Sequence, residues 1–161
     1  MIIGIIADTH DNIRNTEKAI QHFRDEGADV ILHAGDFVAP PLIALFTGIK
    51  TIAVLGNSDG DVTRLLSKAR EVGVDLKGEY AELEYDGLKF ALYHGTNTET
   101  TEALILSKAY DVVISGHSHH AEEKKTGNTI FINPGTAHGF GARATIAVFD
   151  TQTRQTRIID L

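Results

Sequence analysis

Apolar residues in the first half of the chain come in short unbroken runs, each ending at a polar motif, with stretches of helical period between them. Ile2 to Ala7 is the first run, suited to a strand buried on both faces. Asn12 stands as an N-cap before a helix whose apolar side carries Ile13, Ala19, Ile20 and Phe23, and Gly27 ends it. Val30-Ile31-Leu32 predicts a second strand running into Ala34-Gly35-Asp36, and Pro40-Pro41 opens a short helix through Phe46. Thr51 to Leu55 predicts a third strand ending in Gly56-Asn57, and a helix from Asp61 to Val72 closes at Gly73. This βαβαβα order predicts a parallel sheet.

The pattern changes after residue 78. Glu79 to Tyr85 and Leu88 to Tyr93 alternate around Asp86-Gly87, a hairpin signal that implies antiparallel pairing. Thr100 to Ala109 reads as a helix and Val112 to Ile114 as a strand that runs into Gly116-His117-Ser118-His119. Strands follow at Thr129 to Ile132, Ala144 to Phe149 and Thr156 to Ile159, with Gly127-Asn128 as a turn and Asn133-Pro134-Gly135 as a loop. Helices interleaved early and strands late predict an α/β fold in which two sheets form a β-sandwich flanked by helices, as a single domain over residues 1–161.

Composition narrows the chemistry. No apolar run approaches the roughly 18 residues of a membrane span, and the N-terminal run has no basic leader and stops at Asp8, so no membrane association and a cytoplasmic location are expected. The chain has no cysteine, so any metal is held by nitrogen and oxygen. A formal net charge of −7 argues against binding long nucleic acid through its backbone.

Asp8-Thr9-His10, Gly35-Asp36, Gly56-Asn57, His94 and Gly116-His117-Ser118-His119 all follow directly on predicted strands. Taken singly, Asp8 and His10 read as helix caps, the two glycine dipeptides as turns, and His94 as a strand-end histidine bonded to a carbonyl. Neighbouring imidazoles in one loop have little structural use without a metal. Strand ends of a parallel sheet share one rim, so together the five predict a polynuclear site for borderline divalent ions.

In this order, Asp-x-His, Gly-Asp, Gly-Asn, His-Gly and Gly-His-x-His, the chain resembles the calcineurin-like metallophosphoesterase superfamily, in particular its small prokaryotic phosphodiesterase branch. The resemblance runs from Asp8 to Asn133-Pro134-Gly135-Thr136 and implies the same sandwich fold. It implies that Asp8, His10, Asp36 and His119 bind one divalent ion and that Asp36, Asn57, His94 and His117 bind the other, with Asp36 as the bridge. The implied activity is hydrolysis of a small phosphodiester by a hydroxide shared between the ions, with inversion at phosphorus. The ions implied are manganese or nickel, with iron, cobalt or zinc as alternatives that a nitrogen and oxygen donor set also accepts. Two ions carrying four positive charges against the carboxylates of Asp8 and Asp36 would make the pocket cationic inside an acidic protein.

Two positions depart from the family pattern. Ser58 stands where many relatives have a histidine that acts on the leaving group, and serine is a poor acid, so Asp59 and His120 become the weaker candidates for that proton. Thr96 replaces a further histidine of the branch. Of the remaining polar residues, His33 is expected to pack or hydrogen-bond inside the second strand, and His22 to lie on a helix surface. His138 and Arg143 belong to a glycine-rich stretch that can wall the site, and Asn12 places helix amides near His10 where an anion could bind. Phosphomonoester hydrolysis on the same site and a non-catalytic metal-binding interaction scaffold are the alternative functions; the oligomeric state is left open.

Overall fold

The computed structural model of the chain describes residues 1–141 and 143–161. One sheet has the order β11-β10-β1-β2-β3-β4 and the other β5-β6-β7-β9-β8. In the first, β1 (Ile2–Ile6), β2 (Val30–His33), β3 (Thr51–Ala53) and β4 (Asp75–Leu76) run parallel, and β10 (Thr145–Asp150) and β11 (Gln155–Asp160) extend it antiparallel from β1. In the second, β6 (Leu88–Tyr93), β7 (Val112–Ile114) and β9 (Thr129–Pro134) run parallel, flanked by antiparallel β5 (Tyr80–Tyr85) and β8 (Ala121–Thr126).

Alternation along each strand decides which layer it feeds. Ile3, Ile5 and Ala7 of the β1 run meet Phe90, Leu92, Val112 and Ile114 between the two sheets. Ile6, from the other face of β1, packs with Ala19, Ile20 and Phe23 of α1 (Ile13–Asp25), Leu42 and Ile43 of α2 (Pro40–Ile43), and Leu65 and Ala69 of α3 (Val62–Val72). The outer face of the second sheet, Ala91, Val113 and Phe131, lies under Leu104 and Ile105 of α4 (Thr98–Leu106). The layers are therefore helix, sheet, sheet, helix, as predicted. Among the described residues no helix is long and apolar enough to cross a membrane.

Several local expectations shift. Asn133-Pro134 is not loop but the end of β9, where Pro134 sits opposite Ala121 at a strand end that tolerates its missing N–H. Strand β8, Ala-Glu-Glu-Lys-Lys-Thr, carries charge on both faces and has no apolar period, because it is an edge strand standing in solvent. Helix α4 starts two residues earlier than expected, since the Asn97 side chain accepts the Thr100 N–H as its cap, and it stops before Lys108, which takes a left-handed φ of 58°. Ile13, expected on the buried side of α1, is 51% exposed in the helix's first turn.

Candidate metal centre

The parallel strands of both sheets deliver their following residues to one rim. Asp8 and His10 follow β1, Asp36 follows β2, and Asn57 lies beyond β3; from the second sheet, His94 follows β6, and His117 and His119 follow β7. Five of these seven residues have left-handed backbones: Asp8 (φ 52°), His10 (38°), Asp36 (63°), His117 (67°) and His119 (60°). Such conformations cost about 1–3 kcal/mol each outside glycine and persist where the surroundings fix them. The motif glycines serve close approach: a Cβ on Gly56 would lie 2.1 Å from Asp36 Oδ1, and one on Gly116 would lie 2.6 Å from Asp8 Oδ2.

The side chains converge on the two carboxylates. His10 Nε2 lies 3.3 Å from Asp36 Oδ2 and 3.7 Å from Asp8 Oδ1, and His119 Nε2 lies 3.2 Å from Asp8 Oδ1. Yet Asp8 Oδ1 and His10 Nε2 are both buried with no hydrogen-bond partner. On the other side of Asp36, His94 Nε2 is 3.4 Å from Oδ1 and 3.0 Å from Asn57 Oδ1, and the His117 ring lies edge-on to His94 with centroids 5.2 Å apart. His94 Nδ1 sits 2.7 Å from the Ala34 carbonyl, which only accepts, so Nδ1 carries a proton and Nε2 faces the site.

Charge is distributed unevenly. Burial pushes Asp8 up to about 7, against the opposing pull of His94 and the His117 amide. Burial also works against ionised Asp36, but hydrogen bonds from His94 and Ser58 outweigh it and hold that carboxyl well below the usual range. His94 moves upward despite burial, because Asp36 favours its charged form. His117 and His119 are shifted downward chiefly by burial, and His138 is lowered to about 4 by burial and by neighbouring His10 and His119. The unpartnered, buried Asp8 Oδ1 and His10 Nε2, with the downshifted imidazoles of His117 and His119, form a donor set suited to a divalent cation.

The rim is braced by residues that motif reading assigned otherwise. The Asp59 carboxylate accepts the amides of Asp36 (3.0 Å), Val38 (2.8 Å) and Gly56 (2.7 Å), tying the loops after β2 and β3 together. It is fully engaged as an acceptor, the reverse of a donor to a leaving group. Ser58 donates its N–H to Asp36 Oδ1 and its hydroxyl to Oδ2, both at 2.9 Å, and so orients that carboxylate. His120 turns to its own loop, Nδ1 donating to the Ser118 carbonyl at 2.6 Å. Thr96 donates to Asn57 Oδ1 at 3.4 Å.

Asn133 is a brace that sequence reading missed. Its amide donates to the Gly116 carbonyl (2.8 Å) and Ser118 Oγ (3.0 Å), and only its place opposite the histidine loop reveals that role. His33 is buried, bonded to Thr9 Oγ1 and accepting the Gly35 amide, and stacked on Phe37. Arg143 pairs with Asp160. The first amides of α1 are already engaged, those of Asn12, Ile13 and Asn15 by Thr9, Asp11 and the Asn12 side chain, so this helix end offers little to an anion. His138, in contrast, is drawn into the site: a ring nitrogen from each of His10, His119 and His138 lies within 4.8 Å of the others. A cavity of about 240 Å³ adjoins His117, with Thr98, Thr101, Ser115, Lys124 and Phe131 among its walls.

The chain is similar to known proteins over its whole length. Residues 1–154 match the calcineurin-like phosphoesterase superfamily domain. The chain is 36% identical to a phosphodiesterase of Methanocaldococcus jannaschii, over 100% of this chain and 99% of that protein. It is 30% identical to a probable metallophosphoesterase of Methanothermobacter thermautotrophicus, over 84% and 77% of the two chains. Among solved structures, a novel archaeal phosphodiesterase superposes with a TM-score of 0.94 at 36% identity, with both chains fully covered. A vacuolar sorting protein of Entamoeba histolytica, solved with zinc, shares the fold at a TM-score of 0.72 and 15% identity, with 99% of each chain covered.

Proposed function

The chain belongs to the calcineurin-like phosphoesterase superfamily, and on that premise we propose that it is a phosphodiesterase that hydrolyses small phosphodiesters at a site for two divalent ions. Metal-dependent phosphoester hydrolysis comes with the family; the diester, the pair of ions and the residue roles are the proposal. Asp8, His10, Asp36 and His119 hold one ion, and Asp36, Asn57, His94 and His117 the other. The observation that carries it is the convergence of buried, unpartnered Asp8 Oδ1 and His10 Nε2 beside a carboxylate whose two oxygens face different histidines. When bound, such ions would lower the pKa of a bound water towards neutrality and offset charge at phosphorus.

The protein's own residues set up that chemistry. Asp36 reaches one way with Oδ2 towards His10 and the other with Oδ1 towards His94, and Ser58 fixes its plane. The His94 Nδ1–H bond to Ala34 directs Nε2 at the site, where that nitrogen would hold a metal ion. A cavity adjoins His117 and offers space beside the site. Manganese or nickel is the proposed ion, and a cytoplasmic location is part of the same proposal.

The test is hydrolysis of an activated aryl phosphodiester and its monoester by metal-stripped protein titrated with manganese, nickel and zinc. Metal-dependent cleavage that favours the diester is expected. Preference for the monoester would make the protein a phosphomonoesterase, and metal binding without turnover would make it a scaffold.

A further inference from the structure

We propose that His138 is a substrate-binding catalytic residue whose Nε2–H donates a hydrogen bond to a non-bridging oxygen of the phosphoryl group. The inference rests on the phosphoester hydrolase reading above. His138 is 5% exposed, its ring stands edge-on to His10 at 4.7 Å and to His119 at 4.8 Å, and its Nε2 is buried without a partner.

Proximity to two candidate ligands invites a simpler idea, that His138 is an eighth metal ligand. The hydrogen bonding decides against it. His138 Nδ1 lies 2.7 Å from the Phe140 backbone nitrogen, which can only donate, so Nδ1 holds the lone pair and the neutral ring carries its proton on Nε2. Coordination through Nε2 would need the other tautomer and would set two N–H groups against each other at Phe140. His94 shows the opposite arrangement, its Nδ1–H bonded to the Ala34 carbonyl and its Nε2 left for a cation. Two imidazoles on one rim thus carry opposite tautomers, each fixed by a backbone group.

The donor is also held in place. The His138 amide donates to the Asp8 carbonyl at 3.0 Å, and its carbonyl accepts from Asn12 Nδ2 at 2.8 Å and Asn15 Nδ2 at 3.3 Å. Thr136 Oγ1 and the Ala137 amide bind the carbonyls of Asp8 and Ala7 at 3.1 and 3.0 Å. The segment is therefore pinned to the loop that bears Asp8 and to the start of α1. A buried N–H aimed beside two ligand imidazoles lacks an acceptor until an anion arrives, and a phosphoryl oxygen is such an acceptor.

Two variants and one spectroscopic measurement test this. His138→Met removes the donor, and His138→Gln keeps an N–H near the position of Nε2. Titration calorimetry of inorganic phosphate into manganese-loaded protein should show binding weakened about tenfold in His138→Met, the worth of one hydrogen bond to a charged group, and largely kept in His138→Gln. Manganese affinity should stay within about twofold of wild type in both variants, whereas loss of a ligand or its support costs about tenfold or more. NMR of the imidazole nitrogens in metal-free wild type should find Nε2 protonated. Loss of manganese affinity, unchanged phosphate binding in His138→Met, or a proton on Nδ1 would each overturn the proposal. If wild-type protein binds phosphate but hydrolyses no diester, the functional reading fails while the phosphate titrations still decide the role of His138.

Discussion

Two loops on the same rim deliver candidate ligands and are held in different ways. The loop after β2 is fastened along its length: Asp8, His10 and Asp11 donate their amides to the carbonyls of Gly35, Asp36 and Phe37, and Asp59 takes the amides of Asp36 and Val38. The loop after β7 is tied at its base, through the Gly116 amide to His94 and the His117 amide to Asp8 Oδ2, and then stands out with His117 and Ser118 exposed. The carboxylate side of the site is thus part of the core between the sheets, and the histidine loop is mounted on it. The difference teaches that the carboxylates Asp8 and Asp36 are fixed by buried backbone ties, whereas the loop bearing His117 rests on them through fewer such ties.

Removing the carboxylate proposed to bridge the two ions should give the largest effect. Asp36→Asn is expected to abolish metal-dependent diester cleavage and to lower the bound metal measured by elemental analysis, with circular dichroism unchanged. Retained activity with two bound ions would remove Asp36 from the bridge. The two braces should then behave unlike each other. Asp59→Asn sets an N–H against buried amides and should cost about 2–3 kcal/mol in urea unfolding of metal-free protein. Asn133→Ala should change that stability by about 1 kcal/mol and instead weaken metal binding by about 10–100-fold. Equal destabilisation by both would contradict the asymmetry.

Hydrogen exchange gives a finer contrast. Chelation should speed exchange at 117–120 while leaving the amides of Asp36 and Val38 protected; uniform loosening would show that the rim is one unit. The last effect concerns His33, whose burial lowers it from 6.5 to about 3 and keeps the folded imidazole neutral. Its contribution to stability is complete above pH 6.5 and is lost as pH falls through the window down to about 3, because the unfolded chain takes up the proton first. Metal-free wild type should lose stability across that window with a steeper slope than His33→Gln, by at most about 1.4 kcal/mol per pH unit. Equal slopes would remove His33 as a cause.

The amino-acid sequence alone determined the layer order and the five strand-end motifs that meet at the rim. Both are local signals: apolar runs mark buried strands, and ligand-type residues directly after such runs must share an edge in a parallel sheet. Strand β8 was illegible because an edge strand in solvent needs no apolar period, and Asn133-Pro134 reads as a loop because pairing with β8 is a long-range fact. The tertiary structure alone decided the roles of the supporting residues. Asp59 became a brace, Ser58 an orienting donor and Asn133 a tether through partners 15 to 23 residues away or on a different strand, and His138 reached the site by lying against His10 and His119. Residue type fixes what a side chain can donate or accept; which atom it meets, and hence whether an imidazole offers a lone pair or a proton, is fixed by the backbone group folded against its other nitrogen.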